Sequence, residues 1–283
     1  MFVAYEDPLA WTRPFPANPS SLFLAHWHEV VGSFLFYCVI QALSPTISTA
    51  LIGKAYTGLN HKTKLNFDIH VVSMVQCIIS IVALIPAWGH EHFQNRASDP
   101  YGSIFGYNAY SGFVTAITIG YFIWDLIVCL MYIRLFGVGF LLHAFAALYV
   151  FTVALVKPYC MPWMPAFLLF ELSTPFVNIN WFSSRLPAGM VPDKVILING
   201  ILLLITFFLV RIAWGFYAVG LVAYDMYRVA HMASVFWPAT ILILNFSLDV
   251  LNVYWFMKMV AIAKKKAKGS KTRPVAKEAA KYE

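Results

Sequence analysis

The chain has 283 residues, 60% of them hydrophobic and 12% charged, with a formal net charge of +7. Water-facing domains carry about a quarter charged residues, so this composition excludes a soluble protein built around one buried core. It predicts an all-α, polytopic membrane protein with no nucleic-acid partner.

Residues 1–21 contain no basic stretch leading into an apolar core, so no cleaved signal peptide is expected and the first span serves as its own insertion signal. Seven apolar segments follow, at about 22–53, 68–88, 111–133, 138–156, 163–178, 195–218 and 233–257. In lipid, open segments of this length satisfy their backbone only as helices, which predicts about seven transmembrane helices. Ser44-Pro45 is expected to kink the first. The fifth begins CMPWMPAF and meets Pro175 later, so it is expected to be tilted or broken.

Charge sets the expected orientation. Lys258–Glu283 holds nine basic and two acidic residues, and the preceding chain is balanced. A cytosolic tail with this bias stops transfer and is attracted to anionic cytosolic lipid, by about 1 kcal/mol per basic residue near the surface. Seven spans then put the N-terminus on the opposite side. Lys54, Lys62, Lys64, Arg134, Arg185 and Lys194 fall in cytosolic loops, whereas Arg13, Arg96, Lys157 and Arg228 lie opposite, diluted by Glu6, Asp7, Glu91, Asp99 and Asp225.

Polar residues inside the spans carry the functional signal, because ionisable groups there are costly and usually face the bundle interior. Asp125, His143, Arg211 and Asp249 are deep, and Glu171 sits on the fifth segment. On the third span Ser111, Thr115, Thr118, Asp125 and Cys129 share one helical face. Glu171, Thr174 and Asn178 share a face of the fifth, and Asn245, Asp249 and Asn252 one of the seventh. Gly139, Ala146 and Ala147 flank His143 with small side chains. Four spans turned inward would enclose a partly polar cavity lined by Thr115, Thr118, Asp125, His143, Glu171, Asn178, Arg211 and Asp249. The bland alternative is interhelical hydrogen bonding without a ligand.

Soluble-enzyme signatures are missing: the sequence has no Gly-rich phosphate loop, HExxH or GxSxG. No cofactor is expected. Cys38, Cys77, Cys129 and Cys160 have neither disulfide nor metal spacing. His26 and His28, like His90 and His92, stand two apart, a separation that does not face one ligand on a helix, so no metal site is expected.

The polar blocks GYFIWDLI (120–127), LLHAFAALYVF (141–151), FELSTPFVNINWF (170–182), NGILLLITFFLVRI (199–212) and SLDVLNVYWFMKM (247–259) occur in an order that resembles the TLC domain. That homology region is shared by ceramide synthases, TRAM-type translocon proteins and smaller membrane proteins. The TLC domain-containing protein 4 subgroup is the nearest in pattern. The resemblance covers about residues 66–259. It implies a six-helix barrel with a lipid-sized cavity, an extra N-terminal helix beside it, and residence in the endoplasmic reticulum. The expected division is a non-cytosolic segment 1–21, a first helix and basic loop 22–65, the TLC domain 66–259 and the basic cytosolic tail 260–283.

Ceramide synthases use an adjacent histidine pair on the span matching the fourth one here. This chain reads His143-Ala144, and a methyl group cannot move a proton. The leading expectation is therefore a lipid-handling protein that binds an acyl chain or membrane lipid and contributes to lipid homeostasis. One alternative is an N-acyltransferase acting on a sphingoid or other lipid amine, with acyl-CoA as substrate and His143 oriented by Asp125 or Glu171. A second alternative is a sorting or chaperone-type membrane protein. Membrane lipids are the expected partners, and a homodimer is compatible with the pattern.

Overall fold

The computed structural model describes residues 3–267. Its long helices are α1 (Leu22–Ile52), α2 (His61–Trp88), α3 (Ala109–Met131), α4 (Val138–Val156), α5 (Thr174–Arg185), α6 (Asp193–Phe207), α7 (Trp214–Arg228) and α8 (Phe236–Ala267). Among the described residues there is no strand. Residues 268–283, which carry most of the basic tail, lie outside the described residues.

Local chemistry sets the helix starts. Ser21, Asn60 and Asn108 each accept a hydrogen bond from a backbone N–H three residues on, at 3.2, 2.8 and 2.6 Å, capping α1, α2 and α3. α1 runs through Pro45 without a break. Helices α6 and α7 join through a π-helical turn, Phe208–Ala213, into one rod, Asp193–Arg228. That rod continues ten residues past the apolar segment read from the sequence and takes Asp225 into the fold.

Among the described residues, six helical stretches are long and apolar enough to cross a membrane: Leu22–Ile52, His61–Trp88, Pro100–Met131, Val138–Val156, Asp193–Arg228 and Phe236–Lys266. The fifth predicted span is a composite of two short 3-10 turns and a five-residue helix leading into α5. Proline at 162, 165 and 175 removes backbone donors and keeps it from forming one rod. It still runs from one end of the bundle to the other. Cys160 N–H bonds to Ile104 O near the start of the third span, and the Phe182 ring packs at a tilt against Phe67 near the start of α2.

The outer face of α1 shows which solvent surrounds the bundle. Leu35, Val39, Leu43, Ile47 and Leu51 are exposed at four-residue spacing, while Ser44 and Ser48 are buried. Apolar outside and polar inside is the arrangement lipid selects; in water such a stripe would drive association. The protein is a multi-pass membrane protein.

α1 is built into the bundle through α3. Gly112, Ala116 and Gly120 form a small-residue row at four-residue spacing on α3. A Cβ on Gly120 would lie 2.5 Å from Val30 O, and one on Gly112 would enter the His26 ring. Ser33 Oγ–H donates to Ile117 O at 2.6 Å and Trp124 Nε1–H to Gln41 Oε1 at 2.8 Å. At the end carrying Lys54, Lys62 and Lys64, Asp68 accepts from Ser44 (2.7 Å) and Tyr56 (2.9 Å), tying α1, the 53–60 connection and α2 together. At the other end Arg96 grips the buried Asp225 through Nη2–Oδ1 (2.7 Å) and Nε–Oδ2 (2.9 Å).

Candidate functional site

Five crossings converge on an internal slot. Phe122 of α3 stands against His143, Ala147, Phe151 and Ala154 of α4. The opposite wall carries Glu171 of the fifth crossing, Arg211 of the π-helical turn, and Asn245 and Leu248 of α8. His143 and Ala154 are eleven residues apart on α4, so the slot extends for about 16 Å along that helix. Its volume is about 70 Å³, about the liquid volume of two waters and narrower than a lipid-sized cavity. The physical reason is aromatic filling: Phe122 stacks on Phe151 at 5.8 Å.

Arg211 is buried and held by short polar contacts. Its Nε–H donates to Ser173 Oγ at 2.9 Å and an Nη2 hydrogen to Thr174 Oγ1 at 3.0 Å. The π-helical turn matters here, since one extra residue per turn changes where the side chain points, and such turns recur at functional sites. Glu171 lies within electrostatic range of Arg211 and of Asp125. Among the described residues no direct ion pair joins Glu171 to Arg211.

His143 makes no hydrogen bond among the described residues. Its ring meets Phe122 (6.1 Å) and Trp255 (5.9 Å) edge-on, and it borders the slot. Neither Asp125 nor Glu171 orients it through a hydrogen bond. Asp125 Oδ1 instead has Cys129 Sγ at 3.9 Å. Ala144, in the position after His143, is fully buried.

The other polar positions divide. Thr115 and Thr118 donate back to Ser111 O and Val114 O of their own helix, both at 2.7 Å, and stand away from the slot lining. Asn178 accepts from His70 Nδ1–H at 2.7 Å and donates to Ser73 Oγ at 3.1 Å. The His70 ring stacks on Trp181 at 4.2 Å. Asp249 is buried beside Gly215 and Phe170, and its Oδ2 has no hydrogen-bond partner. Sequence reasoning missed His70, which lies three residues inside the second apolar segment. The polar Asn178 stripe was its only available signal.

A second groove of about 370 Å³ lies between the start of α6 and the end of α8, with Asn180, Asp193 and Lys266 at its polar margin. At the opposite end of the molecule, His90 caps a short helix by accepting from His92 N–H at 3.3 Å. Burial, with His92 beside it, pushes the His90 imidazole below its ordinary value.

The TLC domain profile matches residues 66–261, well over half the chain. The chain belongs to the TLC-domain family. Relatives across this family cover most of its length. Topoisomerase I damage affected protein 4 of Saccharomyces cerevisiae is 38% identical over 275 residues, 95% of each chain. An uncharacterized TLC domain-containing protein of Schizosaccharomyces pombe is 38% identical over 248 residues, 87% of this chain and 81% of the relative. Human TLC domain-containing protein 4 is 30% identical over 238 residues, 80% of this chain and 82% of the relative. No solved structure matches this chain. In this TLC domain, the motif blocks on α3, α4, the fifth crossing, α6–α7 and α8 are the elements that wall the slot.

Proposed function

We propose that this TLC-domain protein binds the acyl chain of a membrane lipid in the slot along α4 and contributes to lipid homeostasis, in the endoplasmic reticulum or a related membrane. One observation carries the reading: an elongated apolar slot whose wall also holds His143, Glu171 and Arg211. A methylene chain gains nothing from polar walls, whereas a carbonyl or carboxyl end does. Arg211, a delocalised cation with donors to spare, suits that end. An entering chain moves Phe122, Phe151 and Met164 aside, and methionine yields readily. Binding of this kind needs no cofactor. The basic end, with Lys54, Lys62, Lys64, Arg185 and Lys194, faces the cytosol and anionic lipid in this reading.

The test is mass spectrometry of lipid retained by the full-length protein in nanodiscs. Ala147→Leu narrows the slot without adding polarity, and it is expected to lower retained lipid several-fold while the protein stays monodisperse. Lipid content equal to the parent chain would defeat the proposal. The acyltransferase alternative is read in the same preparation, supplied with acyl-CoA and sphingoid base. Ceramide formed by the parent chain and lost in His143→Ala would replace a binding role with catalysis.

A further inference from the structure

Away from the slot, three potential metal ligands meet where the N-terminal segment folds over the start of α1. His26 Nδ1–H donates to Glu29 Oε2 at 2.7 Å, and Asp7 Oδ2 lies 3.7 Å from the same nitrogen. One ligand atom from each of Asp7, His26 and Glu29 lies within 4.8 Å of the others. The Glu29 side chain is fully buried, and those of His26 and Asp7 are 2% and 4% exposed. The comparison of His26 with His28 missed this grouping. The partner of His26 is one helical turn on, and the third ligand comes from outside the helix.

Two features point to a cation. Glu29 Oε1 is buried without a hydrogen-bond partner. In addition, two acids share this small volume, and among the described residues no Lys or Arg forms an ion pair with either. Arg13, the nearby cation, donates to the carbonyls of Pro16, Ala25 and Ala17. His28 Nε2 lies 3.8 Å from Glu29 Oε1, too far for a hydrogen bond, and donates to Leu9 O instead. Burying two carboxylates beside neutral imidazoles is costly unless positive charge is added.

We propose that Asp7, His26 and Glu29 bind a divalent transition-metal ion of the zinc type. One imidazole and two carboxylates are a suitable donor set for zinc, and the imidazole disfavours the all-oxygen cations. Ligand bonds of about 2.1 Å place tetrahedral ligand atoms about 3.4 Å apart, so a set of atoms within 4.8 Å of one another needs adjustments of at most about 1.4 Å. Tyr107 Oη, 2.9 Å from His26 Nε2, is placed to accept the outer N–H once Nδ1 binds metal, the usual outer-shell arrangement. A water fills the fourth position. The ion pins the N-terminal segment to α1 and, through Tyr107, to the third crossing.

The experiment uses the full-length protein in nanodiscs, stripped with chelator and titrated with zinc and, separately, cobalt. One equivalent of zinc should bind and raise the melting temperature, and cobalt should give the visible absorption of a four-coordinate ion. Glu29→Gln and Asp7→Asn keep side-chain shape. Each is expected to weaken zinc affinity by about 100-fold or more, since losing even an outer-shell partner costs about 10–100-fold. Asp7 lies outside the helices, so Asp7→Asn reports on the ligand set even if Glu29→Gln folds poorly. No zinc bound by the parent chain would overturn the proposal. So would zinc binding unchanged in Asp7→Asn, which would place the ion elsewhere. A Glu29→Gln protein that melts higher than the metal-free parent and shows no zinc-dependent difference would overturn it in favour of two carboxyls sharing a proton.

Discussion

Asp225→Ala is expected to cost about 3–5 kcal/mol of stability, the usual loss when one partner of a buried ion pair is removed. Asp225 is fully buried, and it accepts from Arg96 Nε–H, from an Arg96 Nη2 hydrogen and from Ser103 Oγ–H, the last at 2.7 Å. Ser103 in turn accepts from the Trp163 indole at 2.9 Å, and the Arg96 guanidinium lies over the Trp163 ring at 5.2 Å. The pair therefore joins α7, the connection after α2, the start of the third crossing and the start of the fifth. Truncation leaves Arg96 mostly buried without a counter-charge and Ser103 short of an acceptor. Thermal unfolding in nanodiscs reads the loss. The double variant Arg96→Met/Asp225→Leu should recover most of it, because an apolar replacement of both partners carries no unpaired charge. Losses that simply add in the double variant would show that the two residues act independently.

That ion pair also marks where sequence reading stopped. The spans were legible because lipid imposes a length and an apolar composition, and α1 and α4 end within a residue or two of the apolar segments. The break in the fifth span was legible in its prolines. Asp225 was not: it follows the apolar run, so it reads as a loop residue, and its partner is 129 positions away. The inward faces of α3 and α8 were visible as stripes, but a stripe does not say what its residues bond to. Thr115 and Thr118 spend their hydroxyls on their own helix, while Glu171 and Arg211 share a wall of the slot. Spacing gives direction around a helix. It does not give depth along the partner, which decides whether His143 meets a carboxylate or the edge of Trp255.

Gly120→Ala and Gly220→Ala are expected to change stability in opposite directions. Both glycines are helical, so alanine at either position gains up to about 1 kcal/mol of helix propensity. At Gly220 the new methyl meets nothing within 4 Å, and the gain is kept. At Gly120 it would lie 2.5 Å from Val30 O, 2.6 Å from Ser33 Cβ and 2.8 Å from Phe34 N. Two of those three are backbone atoms and cannot rotate away, so α1 must move off α3. Overpacking of this kind costs about 1–3 kcal/mol, and here the separation also stretches the bonds from Ser33 to Ile117 O and from Trp124 to Gln41. A net loss of about 2 kcal/mol or more is expected for Gly120→Ala, against a neutral or raised stability for Gly220→Ala, measured as paired melting curves in the same nanodiscs. Equal effects of the two substitutions would mean that α1 rides on α3 loosely enough to absorb a methyl group. The short contacts then would not be what seats the first helix, and the GYFIWD block would owe its glycine to something other than helix packing.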